Sequence, residues 1–155
     1  MEVKQINESQ QKIKISTDIL KQLPEWFGIP EAMEDYIHNS SYMPFFAAYA
    51  ESSAVGFIAV KENNQHTAEI YVMGVEPNYH RRGIGRTLVS SAVEWCRERG
   101  YEFLQVKTLD ESHPDKNYAR TRKFYEAAGF RPLECLPKLW GEDNPCLIMI
   151  MYIGG

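Results

Sequence analysis

The feature that most constrains the fold is a change of hydrophobic period after Val75. The run Ala68–Val75 is short, largely apolar and typical of a β-strand. From Ile84 to Trp95, apolar residues recur at i, i+4, i+8 and i+11, a spacing that predicts one amphipathic helix. Gly100 is placed to end that helix. A strand that turns directly into a helix predicts a sheet covered by helices.

The remaining chain predicts further strands and helices in a mixed order. Apolar runs between turn residues predict strands near Val3–Ile6, Met43–Ala50, Ala54–Val60, Phe103–Thr108, Phe130–Leu136 and Cys146–Ile153. Further helices are expected to end near Leu23, to begin at Pro30 and to span about Lys116–Ala128. We therefore expect an α/β (α+β) fold, with a mixed central sheet of about six or seven strands flanked by about four helices. No linker divides the 155 residues, so residues 1–155 are expected to form a single domain.

Composition argues against several classes of protein. The 17 basic and 21 acidic residues give a net charge of −4, which disfavours a dedicated nucleic-acid partner. No apolar run approaches the ~20 residues of a membrane span, so no membrane partner is expected. The three cysteines, Cys96, Cys135 and Cys146, form no CxxC pair and have no nearby histidine at ligand spacing. They predict free thiols, no metal site and a cytoplasmic location.

The turn that joins the strand to the helix carries the residues of an anion site. Gly83 and Gly85 let a ligand approach the helix start without a Cβ in the way. Unpaired backbone amides and the positive end of the helix dipole lie there, and Arg81, Arg82 and Arg86 add positive charge. Phosphate is the natural ligand for such a turn. A tight turn beside solvated arginines is the alternative.

Two common nucleotide-binding motifs fit this turn poorly. A P-loop needs a Gly-Lys pair, and the chain contains none. A dinucleotide fingerprint needs a third glycine, and Leu88 occupies that position. The turn is therefore expected to bind the phosphate of a ligand that neither of these motifs recognises.

Two motifs together resemble the signatures of the GNAT acetyltransferase superfamily. The run from His80 to Gly85 is similar to the family's Q/R-x-x-G-x-G/A loop, with His80 where glutamine or arginine is usual. The run from Phe124 to Phe130 resembles the family's helix ending in F/L-Y-E-x-x-G-F. About forty residues, with one strand between, separate the motifs, as in the family. The resemblance covers Glu69–Phe130 well and implies a GNAT-like fold.

The resemblance also implies an enzyme that moves an acetyl group from acetyl-CoA, its cosubstrate, to an amine by direct attack in a ternary complex. Backbone groups of Met73 and Val75 would pair with the pantetheine arm. Asn117 and Tyr118 stand near the helix start where the family often has an asparagine that contacts CoA. The pyrophosphate would be held at Arg81, Arg82, Gly83, Ile84, Gly85, Arg86 and Thr87.

Two residues are candidates for catalytic roles by the same resemblance. Tyr125 occupies the position of the family's tyrosine, whose phenol approaches the departing CoA sulfur as an acid. A packed core tyrosine is the alternative. Glu69 lies in Ala68-Glu69-Ile70, which is similar to a strand that carries a glutamate base in protein-acetylating members. A solvated or lysine-paired glutamate is the alternative, with a water chain acting as the base.

The acceptor side of the site is predicted from charge. Residues 22–60 contain no Lys or Arg, five acidic residues and many aromatic ones. Such a wall favours a small cationic amine as the acceptor, although a solvated helix face and core aromatics explain the same residues. A protein or peptide acceptor is the alternative within the class, and a non-catalytic acyl-CoA-binding sensor is the alternative outside it. The apolar last strand, Leu147–Met151, is suited to a homodimer interface.

Overall fold

Seven β-strands and four α-helices make up the fold of residues 1–154, which the structure, a computed structural model, describes. The strands are β1 (Glu2–Ile6), β2 (Phe45–Ala50), β3 (Ser53–Glu62), β4 (Thr67–Val75), β5 (Phe103–Leu109), β6 (Arg131–Leu136) and β7 (Cys146–Tyr152). The helices are α1 (Ser9–Leu20), α2 (Pro30–Ser40), α3 (Ile84–Glu98) and α4 (Lys116–Ala128). The predicted mixed α/β fold is confirmed, and α4 has the predicted bounds.

The strands form one sheet in the order β1-β2-β3-β4-β5-β7-β6. β4 and β5 are parallel, and every other neighbouring pair is antiparallel. A parallel pair needs a crossover connection, and α3 supplies it. The antiparallel halves of the sheet therefore meet along β4 and β5.

β4 and β5 separate partway along their length. Their pairing ends at Ile70 opposite Val106, although β4 continues to Val75. Beside Tyr71 the register of β4 against β3 shifts by one residue. A bulge of this kind bends its strand. The bend and the end of the pairing leave a gap between the two strands.

Local sequence explains how α2 and α4 begin and end. α2 has Pro30 at its first turn, where a missing N–H costs nothing. Asp115 caps α4, because its Oδ1 accepts hydrogen bonds from the amides of Asn117 at 2.8 Å and Tyr118 at 3.1 Å. Gly129 ends α4 with a φ of 114°. These residues set where α4, which lies beside the gap, begins and ends along the chain.

Each face of the sheet packs against helices. α3 and α4 cover one face through side chains that include Leu88, Trp95 and Tyr125. α1 covers the other through Ile15 and Ile19, with α2 beside it. Cys96 lies on the buried face of α3, as predicted, and all three cysteines are free.

The last strand lies inside the sheet. β7 pairs with β5 on one side and with β6 on the other. Leu147 and Met149 are buried in the core. The core therefore accounts for Leu147 and Met149, whereas Ile148 and Ile150 are half-buried on the other face of the strand, and the homodimer interface stays a prediction.

Candidate active site

A cleft of about 650 Å³ occupies the gap between β4 and β5. One wall is the bent half of β4, residues 70–75, and the others are the turn before α3, α4 and the segment between α1 and α2. Trp26 of that segment is tied to α4. Its Nε1 donates to Thr121 Oγ1 at 3.1 Å, and its carbonyl oxygen accepts from the Tyr118 hydroxyl at 3.3 Å. The two sequence motifs therefore line one cavity.

The backbone of β4 offers hydrogen-bonding groups to the cleft. The amide of Glu76 donates to the carbonyl of Val55 at 2.8 Å. In the alternating antiparallel ladder, the N–H and C=O groups of Val75 and Met73 therefore point away from β3. β5 has already separated from β4 at this level, so these groups face the cleft. The Val75 carbonyl accepts a hydrogen bond from His80 instead, and the pairing of these groups with a pantetheine arm stays a prediction.

The turn before α3 leaves the first backbone amides of the helix without a side-chain cap. Arg81 and Gly83 both have left-handed backbones, with φ of 65° and 80°. Two such residues within three positions wrap the chain around the first turn of α3. Gly83 is the N-cap of α3, and no side chain caps the helix there. The first amides of α3 are therefore available to a ligand.

The two glycines of this turn have different structural roles. A Cβ built on Gly85 would lie 2.9 Å from Cε1 of Phe124, so Gly85 permits the close packing of α3 on α4. A Cβ on Gly83 would meet nothing within 4 Å. Gly83 is needed instead for its positive φ and for the open space before the helix.

His80 makes a contact that the family pattern does not predict. With the proton on Nε2, its imidazole donates to the carbonyl of Val75 at 2.7 Å. Its ring also packs edge-on against Trp26, with 6.1 Å between centroids. The histidine thus ties the anion-binding turn to the end of β4 and to the far wall of the cleft.

Tyr125 is buried and lines the cleft. Phe124 and Phe130 pack against its ring at centroid distances of 5.3 and 5.5 Å. Burial raises the pKa of the Tyr125 phenol well above its usual range, and the phenols of Tyr118 and Tyr36 add smaller effects. A raised pKa keeps the phenol protonated at neutral pH, which is the form that an acid requires.

Glu69 is buried in a second, smaller cavity that adjoins the cleft. This side pocket, of about 120 Å³, is lined by Tyr36, Lys61, Glu69, Ile70, Tyr71, Lys107 and Trp140. Glu69 Oε1 accepts from Asn63 Nδ2 at 3.0 Å and from Gln105 Nε2 at 2.8 Å. Its Oε2 lies 3.5 Å from Nζ of Lys107. The carboxylate is therefore held firmly and has the lysine partner that the alternative interpretation expects.

Most of the predicted site residues line the cleft: Met73, Val75, Arg81, Gly83, Ile84, Gly85, Arg86, Tyr118 and Tyr125. Four others among the described residues do not line it: Glu69, which lines the side pocket, and Arg82, Thr87 and Asn117. Arg82 lies over the ring of Tyr79 at 5.1 Å, and Thr87 Oγ1 donates to the carbonyl of Gly83 at 3.0 Å. The Asn117 side chain accepts from Arg120. The structure thus offers no cleft contact for these last three side chains.

Charge in the cleft differs from the expectation of an acidic wall. Trp26, Phe27 and Tyr36 from the predicted acceptor stretch line the cleft, but no Asp or Glu within residues 1–154 does so. The charged side chains that line it are Arg81, Arg86, Lys107, Arg120 and Lys123. The acidic residues of that stretch therefore do not line the cleft.

The sequence interpretation missed two strand residues of the site. Lys107 and Thr108 of β5 both line the cleft. Thr108 is buried, and its Oγ1 has no hydrogen-bond partner within residues 1–154. Two polar residues in the otherwise apolar end of a buried strand were the available signal. A buried hydroxyl without a partner is costly, which makes Thr108 a residue to test for contact with a ligand.

Two absences concern the part of the chain that the structure describes. Within residues 1–154, no helix is both long and apolar enough to cross a lipid bilayer. No three His, Cys, Asp or Glu side chains of that part are grouped so that they could hold a metal ion.

Solved structures share this fold over the whole chain. A GNAT-family protein from Desulfovibrio desulfuricans superimposes with a TM-score of 0.82 at 18% identity, covering 99% of both chains. An aminoglycoside 6'-N-acetyltransferase, solved in complex with coenzyme A, superimposes with a TM-score of 0.76 at 20% identity. That comparison covers 100% of this chain and 98% of the other. At these identities the likeness concerns the fold alone.

Sequence comparison identifies the family. Residues 12–130 match the acetyltransferase (GNAT) family, and the chain belongs to it. This confirms the resemblance carried by the two motifs. A mycothiol acetyltransferase from Beutenbergia cavernae is 39% identical over 67 residues, which are 43% of this chain. The chain spans only 20% of the length of that relative.

Proposed function

We propose that this protein transfers the acetyl group of acetyl-CoA to a primary amine of a small molecule, which arrives as a cationic ammonium, by direct attack in a ternary complex. The observation that carries the proposal is the cleft, which connects the anion-binding turn before α3 to the buried Tyr125 along the open side of β4. Acetyl-CoA has a phosphate at one end and a thioester at the other. The cavity would place the phosphate at the turn before α3 and the thioester at Tyr125. The free cysteines favour a cytoplasmic location for this activity.

Acetyl-CoA would lie along β4 as an extended substrate. Its pyrophosphate would accept hydrogen bonds from the first amides of α3, and its pantetheine arm would pair with the backbone of Val75 and Met73. From Val75 back to Ile70 is five residues, or about 16 Å at ~3.3 Å per residue. This path leads from the anion-binding turn to the point where β4 and β5 separate.

The acceptor amine must lose a proton before it can attack. An alkyl amine with a pKa of ~10.4 is neutral in about one molecule in a few thousand at pH 7, and its deprotonation costs roughly 4–5 kcal/mol. The lone pair of the neutral amine then attacks the thioester carbon, so that a C–N bond forms and the C–S bond breaks. The departing thiolate, with a pKa near ~8.5, accepts the proton or the hydrogen bond of the Tyr125 phenol.

Glu69 is the proposed base. Because it lines the side pocket and not the cleft, we infer that it receives the proton through a water molecule. The Glu69→Gln variant is expected to lose roughly 100-fold in kcat/KM at pH 7 and less than about 10-fold at pH 9. The loss shrinks because a larger fraction of the amine is already neutral at the higher pH. Steady-state kinetics at both pH values, with thermal melting of each variant, test this.

Glu102→Gln is the matched control for Glu69→Gln. Glu102 is an exposed carboxylate that pairs with His66 outside the cleft, so its loss is expected to leave kcat/KM unchanged at both pH values. An equal loss at pH 7 and pH 9 in Glu69→Gln, or no loss, would remove Glu69 as the base. A water chain without a carboxylate would then take its place.

Thr108 provides a test of ligand binding in the cleft. Thr108→Val is expected to raise the stability of the ligand-free protein by ~1 kcal/mol, because the variant removes a buried hydroxyl that has no partner. The increase in melting temperature on addition of acetyl-CoA or acceptor should become smaller than in the wild type. Thr121→Val is the control, since the Thr121 hydroxyl is already bonded and its loss should destabilise the protein. A lower melting temperature for ligand-free Thr108→Val would contradict the prediction.

Two alternatives make different predictions. A protein or peptide acetyltransferase is favoured by the strand Ala68-Glu69-Ile70, and a non-catalytic acyl-CoA-binding sensor needs neither Tyr125 nor Glu69. The test is acetyl-CoA with a panel of small amines, amino acids, aminoglycosides and peptides, in which release of free CoA thiol is measured. Thiol release with small amines supports the proposal, and release with peptides alone supports the first alternative. Binding of acetyl-CoA without thiol release on any acceptor would support the sensor.

A further inference from the structure

We propose that the side pocket binds a carboxylate of the acceptor, so that the acceptor is an amino acid, which carries a primary amine and a carboxylate together. This inference rests on the proposed acetyl transfer and specifies its substrate class. It goes against a purely cationic acceptor, which the acidic stretch of the sequence favours.

The first observation is the position of Lys107. Arg81 and Arg86 belong to the anion-binding turn, and Arg120 and Lys123 lie on α4. The phosphates of acetyl-CoA account for these basic residues. Lys107 stands on β5 directly after Val106, where β4 and β5 separate, about 16 Å along β4 from the turn. Phosphates at the turn do not explain a cation at this place.

The second observation is the charge of the side pocket. Lys61 lies opposite Glu69 on β3, and Gln105 lies opposite it on β5, so the three side chains share one face of the sheet. Lys107 is on that face as well. The pocket is therefore lined by two lysines, of which Lys61 is exposed to solvent, and by one glutamate. A second carboxylate would balance this charge, whereas a cationic group would meet repulsion.

The third observation is that the Glu69 carboxylate already has three polar partners. Glu69 accepts hydrogen bonds from Asn63 and Gln105 and pairs with Lys107. Lys61 makes no salt bridge within residues 1–154. An ammonium group has three donors, so both lysines retain donors for a ligand. Two lysines with spare donors, beside a glutamate whose Oε1 already accepts two hydrogen bonds, favour an anion.

The shape of the pocket limits what can enter it. Its walls are the rings of Tyr36 and Tyr71, 5.3 Å apart between centroids, and Trp140. The Tyr71 hydroxyl accepts a hydrogen bond from Asn39 Nδ2 at 2.8 Å, which fixes that ring. The volume of about 120 Å³ corresponds to roughly four water molecules at ~30 Å³ each. A carboxylate with its attached carbon fits this volume.

The pocket opens onto the place of reaction. Tyr36, Ile70, Tyr71, Lys107 and Trp140 line both the side pocket and the cleft. A molecule with its carboxylate against Lys61 and Lys107 would therefore place an adjacent amine at the gap between β4 and β5. An α-amino acid has this short separation between its two groups.

The test compares each free proteinogenic amino acid with its own carboxamide, which replaces the carboxylate with a neutral amide. Because the amide also lowers the pKa of the α-amine and so raises the neutral fraction, a preference for the free amino acid is opposed by this second difference. With acetyl-CoA and the wild-type protein, we expect the best amino acid to exceed its carboxamide about tenfold or more in kcat/KM. Lys61→Met should reduce this ratio to near one through a higher KM for the amino acid, with the KM for acetyl-CoA unchanged. Lys61→Arg, which keeps the charge, should preserve the preference. Lys4→Met, at an exposed lysine of β1, is the control and should behave like the wild type.

The outcomes separate this inference from the proposed function. Lys61 is used because Lys107→Met would leave Glu69 without its ion pair and could unfold the protein. Equal or better turnover of the carboxamides, or turnover of polyamines and not of amino acids, overturns the inference and leaves acetyl transfer standing. An unchanged preference in Lys61→Met also overturns it. Absence of thiol release with every amine overturns both.

Discussion

Gly83→Glu is expected to weaken the binding of acetyl-CoA by roughly 100-fold or more. The new carboxylate would stand in the open space before α3, where the pyrophosphate is expected, and would repel it. It would also occupy the positive end of the helix dipole in place of the ligand. Isothermal titration calorimetry with CoA and acetyl-CoA measures the effect.

The matched control for this variant lies at the other end of the same helix. Gly100 has a φ of 83° against 80° for Gly83, and a Cβ at either position meets nothing within 4 Å. Gly100→Glu therefore imposes the same backbone strain, of about 1–2 kcal/mol, and adds the same charge away from the turn. We expect it to leave CoA affinity unchanged. An equal loss of affinity in both variants would show that helix strain, and not the anion site, is responsible.

Tyr125→Phe is expected to lower kcat by roughly 10- to 100-fold while the KM for acetyl-CoA stays nearly constant. The ring still packs between Phe124 and Phe130, so the cleft persists and only the hydroxyl is lost. A positioned acid is typically worth ~10²–10⁴-fold, and a thiolate is already a good leaving group, so the effect falls at or below the low end. Equal losses in kcat and kcat/KM would mark an interaction made in the transition state.

The pH dependence of the wild type follows from the burial of Tyr125. Because burial raises the pKa of this phenol, the protonated form persists as the pH rises past the ordinary tyrosine value of ~10. The kcat of the wild type should therefore not fall near pH 10. The contrary result would be a fall near pH 10 that is present in the wild type and absent from Tyr125→Phe. Such a fall would mean that the phenol is solvated in the reacting complex.

Tyr101→Phe is the control for Tyr125→Phe. Tyr101 is also buried, its hydroxyl donates to Glu62, and it lies outside the cleft. Its loss should lower the melting temperature and leave kcat unchanged. If Tyr125→Phe shows this same pattern, Tyr125 is a core residue and the acid role is rejected.

Much of the fold could be predicted from local patterns. The apolar spacing from Ile84 to Trp95 predicts α3, and Pro30 and Gly129 mark the ends of helices that the structure contains. These predictions succeed because periodicity and special backbone angles depend on residues close together in the chain. The two motifs predict the family for a similar reason, since each is a continuous run of the sequence.

Other features depend on contacts between distant segments. Nothing near Lys107 in the chain indicates that it would meet Glu69, which lies on the neighbouring strand. The hydrogen bond from His80 to the carbonyl of Val75 depends on how the turn folds back on β4. The apolar run of β7 fits a free edge or an interior strand equally well, and only its pairing with β5 and β6 decides between them.

The sequence by itself therefore determined most of the elements and the family, and it predicts an anion site at the turn before α3. Tertiary structure alone decided the charge of the site and its division into a cleft and a side pocket. The bulge beside Tyr71 and the end of pairing at Ile70 separate β4 from β5. That separation brings Tyr125 of α4 and Lys107 of β5 to one cavity. Strand register is a relation between segments far apart in the chain, so local patterns do not specify it.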